Sequence, residues 1–97
     1  MKFYNKKGYI SFEENNNIID LDLIYIEPIH RWKGEGKKLL NEFLKTIKKK
    51  EIKKISLFAC PQFDSPLNLE ELKEFYEDFW FEVKDKVDIG YFMELNL

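Results

Sequence analysis

One cysteine, Cys60, and one histidine, His30, stand in the whole chain of 97 residues. A lone cysteine excludes an internal disulfide and fits a reducing compartment such as the cytoplasm. One Cys and one His cannot by themselves fill a tetrahedral zinc site. No apolar run approaches the roughly 20 residues of a membrane span. Lys2, Lys6, Lys7 and Gly8 break up the N-terminus before the apolar core of a signal peptide can form. With four glycines and three prolines there is no linker, repeat or low-complexity segment. The length predicts one small domain over residues 1–97, built around one core.

What the chain has in quantity is aromatic side chains, 16% of residues, and charge. The net charge of −2 hides a polarity. Lys and Arg dominate residues 28–60, whereas Asp and Glu dominate 61–97. One half attracts anions and the other cations, unless these are simply solvated helix faces of opposite sign.

Residues 8–14 alternate apolar and polar and predict a strand, the asparagine-rich stretch 13–17 a turn, and 18–27 a second strand, together a hairpin. On that second strand Ile19, Leu21, Leu23 and Tyr25 share one face. Asp20 and Asp22 share the other with Ile24 and Ile26, a face that starts acidic and turns apolar. Pro28 ends the strand. From Gly36 to about Glu51, Leu39, Leu40, Phe43, Leu44 and Ile47 recur at helical spacing, with Lys48, Lys49 and Lys50 expected in the last turn. Residues 55–60 predict a strand covered on both faces, joined to its predecessor by a parallel crossover. Asn68 and Glu71 predict a capped helix whose apolar stripe is Leu69, Leu72, Tyr76 and Phe79. Strands at 81–83 and 91–97 flank a turn over 84–90. The expected order is β-β-α-β-α-β-β, an α/β (α+β) fold with two helices and a mixed sheet.

The junction between the second strand and first helix carries Arg31-x-x-Gly34-x-Gly36. Two glycines let the backbone turn tightly and approach a ligand closely. The helix that follows points unpaired N–H groups and its positive dipole end at the same place. Arg31, Lys33, Lys37 and Lys38 add positive charge, so the stretch predicts a pyrophosphate site. It is no Rossmann fingerprint, since Leu39 holds the third glycine position, and no Walker A loop, since Lys38 follows Gly36-Lys37.

Ile26-x-Pro28-x-x-Arg31-x-x-Gly34-x-Gly36-x-x-Leu39-Leu40 resembles the acyl-CoA motif of the GNAT N-acetyltransferase superfamily. Phe75-Tyr76-Glu77-x-x-x-Phe81 resembles that family's later signature, at the family's usual separation. Glu35 and Trp80 depart from the pattern, standing where an aliphatic residue and a glycine are usual. The two helices that normally separate the first and second strands are absent, and the turn at 13–17 stands in their place. A second likeness, to phage-borne anti-CRISPR acetyltransferases, rests on the hairpin, on Ala59-x-Pro61-Gln62-x-Asp64-Ser65, and on the helix end Glu74-Phe75-Tyr76 with Phe81-Glu82.

The resemblance implies splayed parallel strands holding acetyl-CoA. Its pantetheine amides would pair with backbone near Ile24 and Ile26, and its pyrophosphate would sit on the N–H groups of Trp32, Lys33, Gly34, Glu35, Gly36 and Lys37, beside Arg31. Tyr76 matches the tyrosine that protonates the leaving thiolate, although a buried core tyrosine would show the same spacing. Asp20 stands at the family's usual base position, with Asp22 next on the same face. Either is equally readable as an exposed strand residue, and bound water could serve instead. Trp32 covers the cofactor or is a surface aromatic. Without the wall helices the acceptor side is expected to be open, which suits a lysine on a protein, in the specialised case a CRISPR nuclease. The expected partners exclude nucleic acid and membrane. The aromatics leave room for a homodimer, and a non-catalytic acyl-CoA-binding or interaction module is the alternative reading.

Overall fold

A computed structural model describes residues 1–31, 33–61 and 67–97. Six strands form one sheet in the order β1-β2-β3-β4-β6-β5. The short β1 (Lys2–Tyr4) precedes the hairpin of β2 (Gly8–Asn15) and β3 (Ile18–Ile26). Helix α1 (Glu35–Ile47) leads into β4 (Lys54–Ala59), and α2 (Leu69–Glu77) into the hairpin of β5 (Glu82–Val87) and β6 (Gly90–Asn96). The β3–β4 pair is parallel and every other pair antiparallel. Among the described residues no helix is long and apolar enough to cross a membrane.

The β2–β3 turn needs two left-handed residues, and asparagine tolerates that region better than other side chains. Asn16 (φ 48°) and Asn17 (φ 70°) supply them. The turn is therefore shorter than the expected 13–17, and β2 runs on to Asn15. Leu39, Leu40, Phe43, Leu44 and Ile47 bury one side of α1 against the sheet, each worth roughly 1.5–3 kcal/mol when fully covered. The helix ends at Ile47, so Lys48, Lys49 and Lys50 lie past its last turn. Both bonds of the Asn68–Glu71 capping box are formed, at 2.9 and 3.0 Å.

Three further expectations are corrected. Strand β1 is an addition; it is held by pairing with β2 and by Phe3, which meets Phe43 edge to face. The expected turn at 84–90 is largely strand: β5 reaches Val87, and Asp88 and Ile89 make the turn. All of β5 is exposed, so its Lys and Asp residues carry no burial pattern to read. Nor is β4 covered on both faces. Ile55, Leu57 and Ala59 are buried, whereas Ser56 and Phe58 are half-buried on the other side. Phe58 is shielded by its cross-strand partner Phe92 instead of by a helix. One continuous core lies on the helix side of the sheet, and the opposite face is left uncovered.

Candidate active site

The split character of β3 has a single geometric cause. Phe12 pairs with Leu21 but the preceding Ser11 pairs with Leu23, so Asp22 is an extra residue on β3. Such a bulge reverses which side of the strand later residues face. Ile19 and Leu21 are buried before it; after it Ile24 and Ile26 pack against the same core, leaving Asp20 and Asp22 exposed. The parallel pairing of β3 with β4 runs from Ile18 to Leu21 and goes no further. Past the bulge the two strands part, and a cleft of about 260 Å³ opens between them.

The glycine turn and first turn of α1 form one end of this cleft. Gly34 caps the helix at φ 73°, backbone that glycine adopts without the cost a Cβ imposes. The Lys38 N–H reaches back to the Gly34 carbonyl at 3.3 Å. The N–H groups of Glu35, Gly36 and Lys37 precede it in the first turn and lack intrahelical acceptors. A Cβ on Gly36 would lie 3.6 Å from the Phe75 ring and 4.0 Å from Ile26, filling the space between the two walls. Arg31 lines the cleft too, with its Nε donating to the Ile26 carbonyl at 2.9 Å and its guanidinium over the Tyr25 ring. The Ile26 carbonyl thus has one lone pair already engaged. Lys37 lines the cleft and meets Asp78 at 3.4 Å, an exposed pair of little strength. Lys33 is exposed and does not line the cleft. Trp32, Gln62, Asp64 and Ser65 lie outside the described residues.

Glu35 is buried, the charged residue so placed among those described. Its carboxylate lies 3.4 Å from Lys7 Nζ and 3.3 Å from Lys38 Nζ. Burial by itself would raise its pKa; the two ammonium groups outweigh that and hold it below the usual carboxylate value. Lys7 is fixed in turn, since its carbonyl accepts from the Glu27 N–H and its own N–H bonds Asn5 Oδ1. Glu35 therefore pins the first turn of α1 to the β1–β2 loop. That accounts for an acid between the two glycines.

Tyr76 lines the other side. Its ring is buried between Phe75 and Phe81, with centroids 5.3 and 5.5 Å away. Burial pushes its hydroxyl far above the ordinary tyrosine value, so it keeps its proton. No hydrogen bond among the described residues engages the hydroxyl, and since no sealed polar side-chain atom there lacks a partner, its oxygen keeps contact with the open cleft. Asp22 borders the cleft and also a groove of about 390 Å³ over the uncovered sheet face, whereas Asp20 borders the groove alone and accepts from Ser56 Oγ. Phe58 and Cys60 border both cavities as well. Sequence reasoning passed over Phe75 and Phe58 as site residues. Phe75 was legible at helical spacing from Leu72 and Phe79; the placement of Phe58 depends on which sheet face is covered, and no local signal carries that.

No protein-family model matches the sequence, and no curated protein does either. Solved structures do. The anti-CRISPR protein AcrVA5 is 28% identical, with a TM-score of 0.79 over 99% of this chain and 97% of that one. The PaiA N-acetyltransferase of Thermoplasma acidophilum, solved with coenzyme A, is 28% identical, with a TM-score of 0.73 over 94% of this chain and 54% of that one. The fold is that of the GNAT acetyltransferases. A GNAT-family acetyltransferase from Staphylococcus aureus Mu50 is similar as well, at 25% identity and a TM-score of 0.69 over 93% of this chain and 59% of that one. The chain spans about half the length of the PaiA enzyme and nearly all of the anti-CRISPR protein. The PaiA and Staphylococcus aureus neighbours are named acetyltransferases, and the PaiA enzyme was solved with coenzyme A.

Proposed function

We propose that the chain transfers the acetyl group of acetyl-CoA to a lysine side chain on a protein, in the anti-CRISPR version of this reading a CRISPR nuclease. The observation that carries it is the parting of β3 from β4 at Asp22, which runs a cleft from the Gly34 turn to Tyr76. The likeness to AcrVA5 over nearly its whole length supports the anti-CRISPR version. Its setting in this reading is the cytoplasm, where the Cys60 thiol stays reduced.

The first-turn N–H groups from Glu35 to Lys37, with Arg31, fit a diphosphate, and the edge of β3 at Ile24 and Ile26 fits the pantetheine arm. Lys33, exposed beside Gly34, would add positive charge near the same group. Acetyl-CoA, when bound, supplies an activated acyl carbon and a sulfur leaving group. A lysine amine attacks only when neutral, and its ordinary pKa is about 10.4. Asp22 at the mouth of the cleft, or Asp20 beside it, would take the ammonium proton directly or through water. The Tyr76 hydroxyl, protonated and open to the cleft, would donate to the departing sulfur. The exposed aromatics would serve the protein acceptor or a second copy of the chain in a homodimer.

Calorimetry with acetyl-CoA tests the cradle. Gly34→Asp should abolish binding, and unchanged affinity would refute it. Incubation with labelled acetyl-CoA and a candidate nuclease or a lysate, followed by mass spectrometry, should place label on lysines. Tight cofactor binding with no label on any protein would favour the non-catalytic acyl-CoA-binding module.

A further inference from the structure

Phe58 is held from two sides. Across the β4–β6 pair its ring meets that of Phe92 with centroids 4.6 Å apart. On another side lies Gly90, where a Cβ would come within 2.7 Å of Phe58 Cζ. The absent side chain is what leaves room for the ring. So seated, Phe58 forms part of the wall of both the cleft and the groove over the open sheet face. Phe92, 46% exposed, extends the aromatic surface outward along that groove. The groove's carboxylates are Asp20, bonded by Ser56, Asp22, and Glu94, whose partner is Lys54 at 3.3 Å.

We propose that the Phe58–Phe92 pair is the platform along which the acceptor lysine passes from the groove into the cleft, with the acceptor's flanking segment lying extended over the uncovered sheet face. The proposal rests on the acetyltransferase reading above and names what that site recognises: a basic segment of a protein. A lysine side chain is an apolar stem with a cationic head, and aromatic faces attract both. The acidic groove complements basic neighbours of the acceptor and steers their approach. A face with no helical wall admits a loop of a folded protein, whereas a small free amine would be held from one side alone.

The probe is a capped decapeptide with one lysine among arginines, with spermidine as the small-amine comparison. Three measurements are made on the wild type, Phe92→Ala and Phe92→Trp: peptide binding by anisotropy without acetyl-CoA, acetyl-CoA affinity by calorimetry, and steady-state transfer. Phe92→Ala should weaken peptide binding and raise its KM by about tenfold, with acetyl-CoA affinity retained. Phe92→Trp should restore both. Peptide affinity unchanged in Phe92→Ala overturns the platform, as does a wild type that acetylates spermidine and ignores the peptide. A wild type that takes up no acetyl-CoA refutes the acetyltransferase reading itself, which calorimetry reports independently of the peptide.

Discussion

Tyr76 and Phe81 close the second helix between them. The Phe81 N–H donates to the Tyr76 carbonyl at 3.3 Å, and the two rings meet edge to face at 5.5 Å. With the Trp80 N–H on the Glu77 carbonyl at 2.9 Å, this is a Schellman ending, in which the residue before the closing hydrophobe is left-handed. Trp80 takes that role at φ 73° with 83% of its surface exposed. The ending fixes Tyr76 against Phe81, and so fixes the hydroxyl that faces the cleft.

Trp80→Gly should therefore stabilise the protein by about 1 kcal/mol, because glycine enters the left-handed region without a Cβ clash. Urea unfolding with an unchanged slope is the measurement. A lower midpoint would mean that the indole makes contacts worth more than the strain.

Tyr76→Phe removes a hydroxyl that opens to the cleft and makes no hydrogen bond to a described residue. Stability should hardly change. Transfer should slow by about a hundredfold if the hydroxyl assists the leaving sulfur, while acetyl-CoA affinity stays near that of the wild type. Undiminished kcat would reduce Tyr76 to a core aromatic.

The pH dependence of Glu35 has a definite sign. Its folded pKa lies below the ordinary 4.5, so on acidification the unfolded chain takes up this proton first. The stability it contributes is complete above the ordinary value and is lost as pH falls through the folded one. Glu35→Gln should be less stable than wild type at neutral pH, and that gap should close as pH falls below the ordinary value and through the lower folded one. A gap constant across this range would show that the Lys7 and Lys38 pairs carry none of it.

Gly90→Ala places a methyl 2.6 Å from the Ala59 carbonyl and 2.7 Å from Phe58. Overpacking of this kind costs about 1–3 kcal/mol. In a Phe58→Ala background the same Gly90→Ala change should cost less by urea unfolding, but not nothing, since the clash with the backbone carbonyl remains. No cost at all in that background would locate the strain entirely in the ring.

Much of the architecture was legible because its signals are local. The stripe from Leu39 to Ile47 placed α1, Asn68 and Glu71 placed the start of α2, and the asparagines placed the hairpin turn. The glycines at 34 and 36 marked the turn that opens α1. The errors fell where burial is set by distant neighbours. Strand β5 is an exposed edge with no apolar alternation, β1 is three residues long, and β4 resembled a doubly covered strand because Phe58 is shielded by Phe92.

Strict alternation put Asp20 and Asp22 on one face of the second strand with Ile24 and Ile26; the bulge at Asp22 instead turns Ile24 and Ile26 to the core face of Ile19 and Leu21. A one-residue bulge is a mismatch between two strands, and nothing in either strand read alone says which residue lacks a partner. Local spacing determined the helices, the turn residues and the glycine turn before α1, since those depend on contacts a few positions apart. Tertiary pairing alone decided that Asp22 is the extra residue, that β3 and β4 part there, and that Phe58 and Tyr76 border the opening.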